Sequence, residues 1–277
     1  MTVDAHVHVW DLSVRDQDWI AQGSPIRRDF TVADLEQAAR ASGVDRAILV
    51  QTVTVPEETP EFLALAAAHD LIAGVVGWTD LTAPGVAEEL ARLRELPGGH
   101  RLKGIRHQVQ GEPDPQWLLR PDVQRGLAAV ADAGLVYDLV VLPDQLPACA
   151  KAAAALPGLT FVLDHLGKPP VASGALDPWV SDLRALAALP NTVAKLSGLL
   201  TEADPASWSV AGLRPYADTA LDAFGPDRLM HGSDWPVCTQ VAPYRQVMEI
   251  SRELTARLDE TEKEAVFSRT ASRVYGV

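Results

Sequence analysis

The chain has 277 residues, 47% of them hydrophobic, and a formal net charge of −13. This is enough chain for one large α/β core without disulfides, and neither Cys149 nor Cys238 has the C-x-x-C partner of a thiolate zinc site. The acidic balance without any Lys/Arg-rich run argues against nucleic acid and membranes as partners. With no basic leader and no run of about 18 apolar residues, the expected setting is the cytoplasm.

Short β-branched apolar runs alternate with amphipathic, Ala/Leu-rich stretches. The first predicted strand is Val3–Val9. Thr31 then reads as the N-cap of a helix that stops before Gly43. A second strand spans Arg46–Val53, and Thr59-Pro60-Glu61 reads as an N-cap with proline at the first helical position. Strands follow over Ile72–Thr79 and Leu102–His107. A helix over Arg120–Ala133 runs into the strand Gly134–Val141, and the alanine run at 150–155 reads as a helix packed closely on a sheet. The last three strands are Leu159–His165, Thr192–Ser197 and Arg228–Asp234, and Asp177-Pro178 opens another helix. Eight strands alternating with helices predict a (β/α)8 barrel, a single domain over residues 1–277. An open doubly wound sheet would carry a glycine-rich first turn, and the turn from Trp10 to Trp19 has none.

A barrel gathers its reactive groups at the C-terminal ends of its strands. His6 and His8 are two apart in the first strand, so regular alternation puts both on one face, with Ala5, Val7 and Val9 on the other. Two converging imidazoles make half of a mononuclear metal site. His165, at the end of the sixth strand, and Asp234, beside the closing last strand, are placed to complete it. Asp234 also has the chemistry to hold and deprotonate a water. The expected catalytic and metal set is therefore His6, His8, His165 and Asp234. Asp164, of opposite parity to His165, is expected to point away from the mouth.

Of Arg106 and His107, parity lets only one point cleanly inward. Arg106 suits a carboxylate or a polarised oxygen. A lysine deep in a strand, Lys195, is rarely idle. Arg106, His107, Lys195, Trp10, Trp78, Gln51, Tyr137 and Trp235 are the candidates for binding substrate, with Asp138 beside Tyr137. His231 is expected to pack on the other face, and His69 and His100 to be solvated. A G-x-S-x-G elbow is absent, which disfavours a serine esterase.

Six segments together resemble the amidohydrolase superfamily. They are Asp4-Ala-His-Val-His-Val-Trp10, Gly77-Trp-Thr-Asp80, Lys103-Gly-Ile-Arg-His107, Leu163-Asp-His-Leu-Gly-Lys-Pro169, Lys195-Leu-Ser-Gly198 and His231-Gly-Ser-Asp-Trp-Pro236. They are most similar to its TIM-barrel hydrolase branch that holds the sugar lactonases. Segments 112–122 and 201–204 look most like the L-fuconolactonase type. The resemblance implies metal-site positions at His6, His8, His165 and Asp234, with Asp234 as the catalytic carboxylate. It implies one divalent metal, which some lactonases of the branch dispense with, and the imidazole-rich set favours zinc. The usual phenylalanine before Gly-Ser-Asp-Trp-Pro is here His231.

The expected reaction is water attack on the carbonyl of a small sugar-acid lactone such as L-fucono-lactone, with Asp234 as general base. Two alternatives on the same barrel are a lactonase for a pyrone dicarboxylate and a metal-dependent non-oxidative decarboxylase. A catalytically silent lactone-binding scaffold is disfavoured by the complete histidine and aspartate set. The oligomeric state, a homo-oligomer included, stays open.

Overall fold

The computed structural model describes residues 1–277. Eight strands lie in sequence order around a parallel barrel. They are β1 (Val3–Val7), β2 (Arg46–Val50), β3 (Ile72–Gly77), β4 (Leu102–His107), β5 (Val136–Leu139), β6 (Phe161–Leu163), β7 (Thr192–Leu196) and β8 (Leu229–His231). The helices are α1 (Val32–Ser42), α2 (Glu58–Ala68), α3 (Val86–Glu95), α4 (Pro121–Asp132), α5 (Leu146–Ala155), α6 (Trp179–Ala187), α7 (Val210–Phe224), α8 (Tyr244–Leu254), α9 (Glu260–Glu264) and α10 (Thr270–Tyr275). The barrel closes just beyond β8. His8 N–H donates to the Trp235 carbonyl at 2.7 Å, and Asp234 N–H donates to the His6 carbonyl at 2.9 Å. No helix is long and apolar enough to cross a membrane.

Most strands end earlier at their C-terminal ends than the apolar runs predict. The helix signals at Thr31 and Gly43 hold: Thr31 caps α1 in a reciprocal capping box with Asp34, and Gly43 closes it in the left-handed region at φ 71°. The signal at Thr59 does not mark a cap. α2 begins earlier, at Glu58. The Thr59 hydroxyl instead bridges the end of β3, accepting from Trp78 N–H at 2.7 Å and donating to the Trp78 carbonyl at 2.8 Å.

Val3, Ala5, Ile48, Val50, Val76, Val136, Val162, Val193 and Met230 form an apolar cluster of their own, joined by Ala271 and Tyr275 from α10. This is the inner core of the barrel. A second, larger cluster fills the layer between sheet and helices. Ala5 belongs to the inner core, contrary to strict alternation from His6. A register irregularity between Asp4 and Val7 is the cause, since a bulge in β1 turns two successive side chains inward.

Helix α4 packs so closely on the chain after β3 that only glycine fits at one point. A Cβ on Gly126 would lie 2.2 Å from the Leu81 carbonyl oxygen. Gly126→Ala should therefore overpack this contact and destabilise the protein by about 1–3 kcal/mol. Urea denaturation would show it, and an unchanged midpoint would mean that the helix shifts freely.

Candidate active site

Strand parity carries Asp138, Asp164 and Lys195 into the barrel above the inner core, each two positions after a residue of that ring, and Arg106 lies in register with Asp138. All four are essentially buried. Lys195 Nζ lies 2.6 Å from Asp138 Oδ2 and 2.9 Å from Asp164 Oδ1. Arg106 Nη1 donates to Asp164 Oδ2 at 2.9 Å, and its Nε donates to Gln51 Oε1 at 2.8 Å. The Tyr275 hydroxyl closes the network from below, 2.9 Å from Asp138 Oδ2. Burial raises the Asp138 carboxyl to about 6, against the opposing pull of Lys195. Burial works to raise Asp164 as well, but Lys195, His6 and Arg106 outweigh it and hold the group well below the ordinary range.

Asp164 thus sits in the barrel, not outside it. The prediction failed because it took His165 as the inward residue of β6. In the structure β6 ends at Leu163, parity carries Asp164 inward with Val162, and His165 then takes a left-handed conformation at φ 53°. That turn brings the imidazole over the mouth as well, so two successive side chains enter the same site.

Above this network lie the three histidines and Asp234. His6 Nε2 and His8 Nε2 are 3.1 Å apart. Asp234 Oδ1 lies 3.4 Å from His8 Nε2, 3.8 Å from His6 Nε2 and 4.0 Å from His165 Nε2. Asp234, like His165, is held at positive φ, here 60°. His8 Nδ1 is 2.8 Å from the Val50 carbonyl, which can only accept, so Nδ1 carries a proton. His165 Nδ1 meets Ser197 Oγ at 2.9 Å. Burial lowers the His165 pKa to about 4, against Asp234 and Asp164, and it also holds His6 well below its ordinary value. Both rings are neutral at neutral pH. Burial alone would raise Asp234, yet the facing His165, His8 and His6 prevail and keep it ionised.

Asp4 fixes the two halves of this centre to each other. Its Oδ1 accepts from His6 N–H at 3.0 Å and from Ser233 N–H at 2.9 Å, while Oδ2 accepts from the Tyr244 hydroxyl at 2.6 Å. One buried carboxylate therefore holds β1, the chain after β8, and α8 in register.

The donor set suits a divalent cation. Oxygen and nitrogen ligands about 2.1 Å from an ion span tetrahedral edges of about 3.4 Å, and the His6, His8 and Asp234 donors lie 3.1–3.8 Å apart. Arg106 Nη1 stands 3.3 Å from His6 Nε2, so the guanidinium competes with an ion for the single lone pair of that nitrogen.

The remaining predicted residues fall into three places. Gln51 and Lys195 belong to the buried network. Trp10 and Trp235 pack edge-on against Phe30 at 5.3 and 5.4 Å, and Trp10 Nε1 donates to the Arg28 carbonyl at 2.7 Å. They wall the first loop beside His8. Trp78 and His107 form a separate cluster. Trp78 Nε1 donates to His107 Nδ1 at 3.0 Å, so His107 Nε2 carries the proton facing Glu112 Oε1 at 2.7 Å. The His107 ring stacks on Trp117 at 4.2 Å. Tyr137 points away from the centre, into the layer between sheet and helices, edge-on to Phe161 at 6.1 Å. His231 is fully buried against Phe267 with neither nitrogen partnered, and burial keeps it neutral. His69 pairs with Glu36 at 2.9 Å.

Sequence reading missed Asp4, Ser197 and Tyr275. The H-x-H parity argument would have found Asp4 had it asked what holds the histidine backbone. Nothing in the pattern around Tyr275 announces a side chain that reaches inside the barrel.

The amidohydrolase family model matches residues 3–277. An L-fucono-1,5-lactonase of Burkholderia multivorans is 40% identical, covering 100% of this chain and 96% of its own. An L-fucono-1,5-lactonase of Burkholderia ambifaria is 39% identical, covering 85% of this chain and 80% of its own. A crystal structure of a Burkholderia multivorans amidohydrolase with bound zinc superposes with a TM-score of 0.94 at 39% identity, covering 100% and 99% of the two chains.

Lys195 is the only cation that bridges Asp138 and Asp164 directly. Lys195→Met leaves both carboxylates buried with one partner fewer and should cost about 3–5 kcal/mol. Chemical denaturation would check this, and a loss below about 1 kcal/mol would mean that the pair adjusts without it.

Proposed function

Because the chain belongs to the amidohydrolase family, we propose that it is a lactonase that opens L-fucono-1,5-lactone or a closely related aldono-lactone with water. One observation carries the chemistry: an ionised aspartate, Asp234, lies within 4.0 Å of three imidazoles, two of them held neutral by burial, at the C-terminal end of a barrel. The names of the Burkholderia relatives support the substrate.

In this reading Asp234 holds a water against the lactone carbonyl carbon. As the water oxygen bonds to that carbon, Asp234 takes its proton. The carbon–ring-oxygen bond then breaks, and the proton passes from Asp234 to the departing ring oxygen. The product is the open hydroxy acid, which ionises in solution. Arg106 and Lys195 lie beneath the site and supply positive field where negative charge grows on the carbonyl oxygen. A divalent ion on His6, His8, His165 and Asp234, zinc by the imidazole-rich donor set, would polarise that carbonyl and acidify the water. Trp78, half-buried beside His107, offers an aromatic face at the rim for a sugar ring, whereas Trp10 and Trp235 act through packing. His107 is a rim residue in this reading, and Tyr137 acts through packing.

A neutral polyhydroxylated lactone is favoured over a pyrone dicarboxylate by one further observation. Arg106 and Lys195 are already engaged by Asp164 and Asp138, so neither is free to bind a second substrate carboxylate. We also propose that residues 1–277 act as one domain in the cytoplasm, with no nucleic acid or membrane partner.

Asp234→Asn keeps the shape and removes the base. Hydrolysis of L-fucono-1,5-lactone, followed with a pH indicator, should fall in kcat by about 10² or more while the melting temperature stays close to wild type. Near wild-type turnover would sink the assignment, and faster opening of a pyrone dicarboxylate than of the sugar lactone would sink the substrate. Elemental analysis should find about one divalent ion per chain, lost in the His6→Ala/His8→Ala double variant. Full metal content in that variant would place the ion elsewhere.

A further inference from the structure

One pair of charged side chains stands beside the centre and takes no part in the chemistry described so far. Lys168 lies three residues after His165, again at φ 53°, in a turn whose Lys168 N–H donates to the His165 carbonyl at 2.9 Å. Gly198 follows β7 against the same imidazole. A Cβ there would sit 2.7 Å from the His165 side chain, so only glycine lets the two loops meet. From Gly198 the chain turns, with Thr201 and Glu202 N–H groups donating to the Gly198 carbonyl at 3.1 and 3.3 Å. Ala172 N–H then donates to the Glu202 carbonyl at 3.0 Å and ties the two loops together. These contacts bring Lys168 Nζ to 3.8 Å from Glu202 Oε1, both on loops that hang from the His165 ring.

The exposure of this pair sets it apart. Their side chains are 23% and 28% exposed, whereas those of Asp234, Arg106, Asp164, Asp138 and Lys195 are at most 6%. Lys168 and Glu202 are thus charged groups at the loop end of the centre that solvent, and hence a ligand, can reach. Their separation is also beyond hydrogen-bonding distance. The ammonium keeps its donors and the carboxylate its acceptor lone pairs.

Resting on the lactonase reading, we infer that Lys168 and Glu202 determine specificity by reading neighbouring ring hydroxyls of the lactone, Lys168 donating to one and Glu202 accepting from the next. A hydroxyl is both donor and acceptor, so two adjacent hydroxyls match a cation and an anion held side by side. Hydrogen bonds to charged groups are about twice as strong as neutral ones. The partial burial of both partners reduces competition from water. Electrostatics agree with the placement: burial, then Asp234, push the Glu202 carboxyl up against Lys168, and Lys168 in turn helps lower His165.

The rival role is a latch that merely joins the two loops. The two roles separate on a substrate without hydroxyls. Compare kcat/KM for L-fucono-1,5-lactone and for δ-valerolactone in the wild type, Lys168→Met, Glu202→Gln and Lys168→Arg. Hydroxyl reading gives a loss of about 10²-fold for Lys168→Met and Glu202→Gln on the sugar lactone, carried mainly by KM. It leaves δ-valerolactone within about threefold of wild type, and Lys168→Arg, which keeps the donor, recovers most of the loss. Equal losses on both lactones would mean a latch and overturn the inference, as would no loss on either. A wild type that opens neither lactone would overturn the lactonase reading itself and this inference with it.

Discussion

The centre depends on the mutual neutralisation of charges that the barrel shuts away from water. Asp138 and Asp164 share the interior with Arg106 and Lys195, and no member of the set could stay ionised there alone. Lys195 between two carboxylates and Arg106 between Asp164 and Gln51 settle the lower tier. Neutral histidines then face the one remaining carboxylate, Asp234. That ordering separates the roles of chemically identical groups. Asp138 is pushed up by burial, Asp164 is pinned down by its cations, and Asp234 is left ionised at the mouth.

A second constraint acts on the backbone. His6 and His8 come from β1 and the chain just after it, and Asp234 from the chain after β8, so this part of the centre has the geometry of the closing seam. Asp4 controls that seam by accepting from His6 N–H, Ser233 N–H and the Tyr244 hydroxyl at once. The left-handed residues His165 and Asp234 are the cost of aiming two polar side chains from chain that has already left its strand.

The barrel was legible because its evidence is repetitive. Apolar runs such as Arg46–Val53 and Thr192–Ser197, separated by amphipathic helical stretches, admit few other folds. His6, His8 and Asp234 were legible because spacing and strand ends suffice to bring them together. What escaped did so for local reasons. The parity of β6 could not be read without knowing that His165 turns left-handed, and so Asp164 was placed on the wrong face. The bulge in β1 reversed Ala5 in the same way. Thr59 resembles a helix cap in sequence, but its hydroxyl serves the end of β3. Lys168 and Glu202 lay inside segments that carried the family resemblance. Only the close approach of Gly198 to His165 reveals that they are neighbours.

The hydroxyl of Tyr275, beneath Asp138, sets an order of events for the growing polypeptide. His6 precedes Asp138 in the chain and Tyr275 follows it, so the polar tier they bracket cannot close before α10 has been made. Until α10 docks, Asp138 faces water from below and its charge is cheaply solvated. Docking removes that water in one step and commits Lys195 to its two carboxylates. The nascent chain can therefore build its earlier helices and strands first, but the interior becomes dry only once α10 is in place.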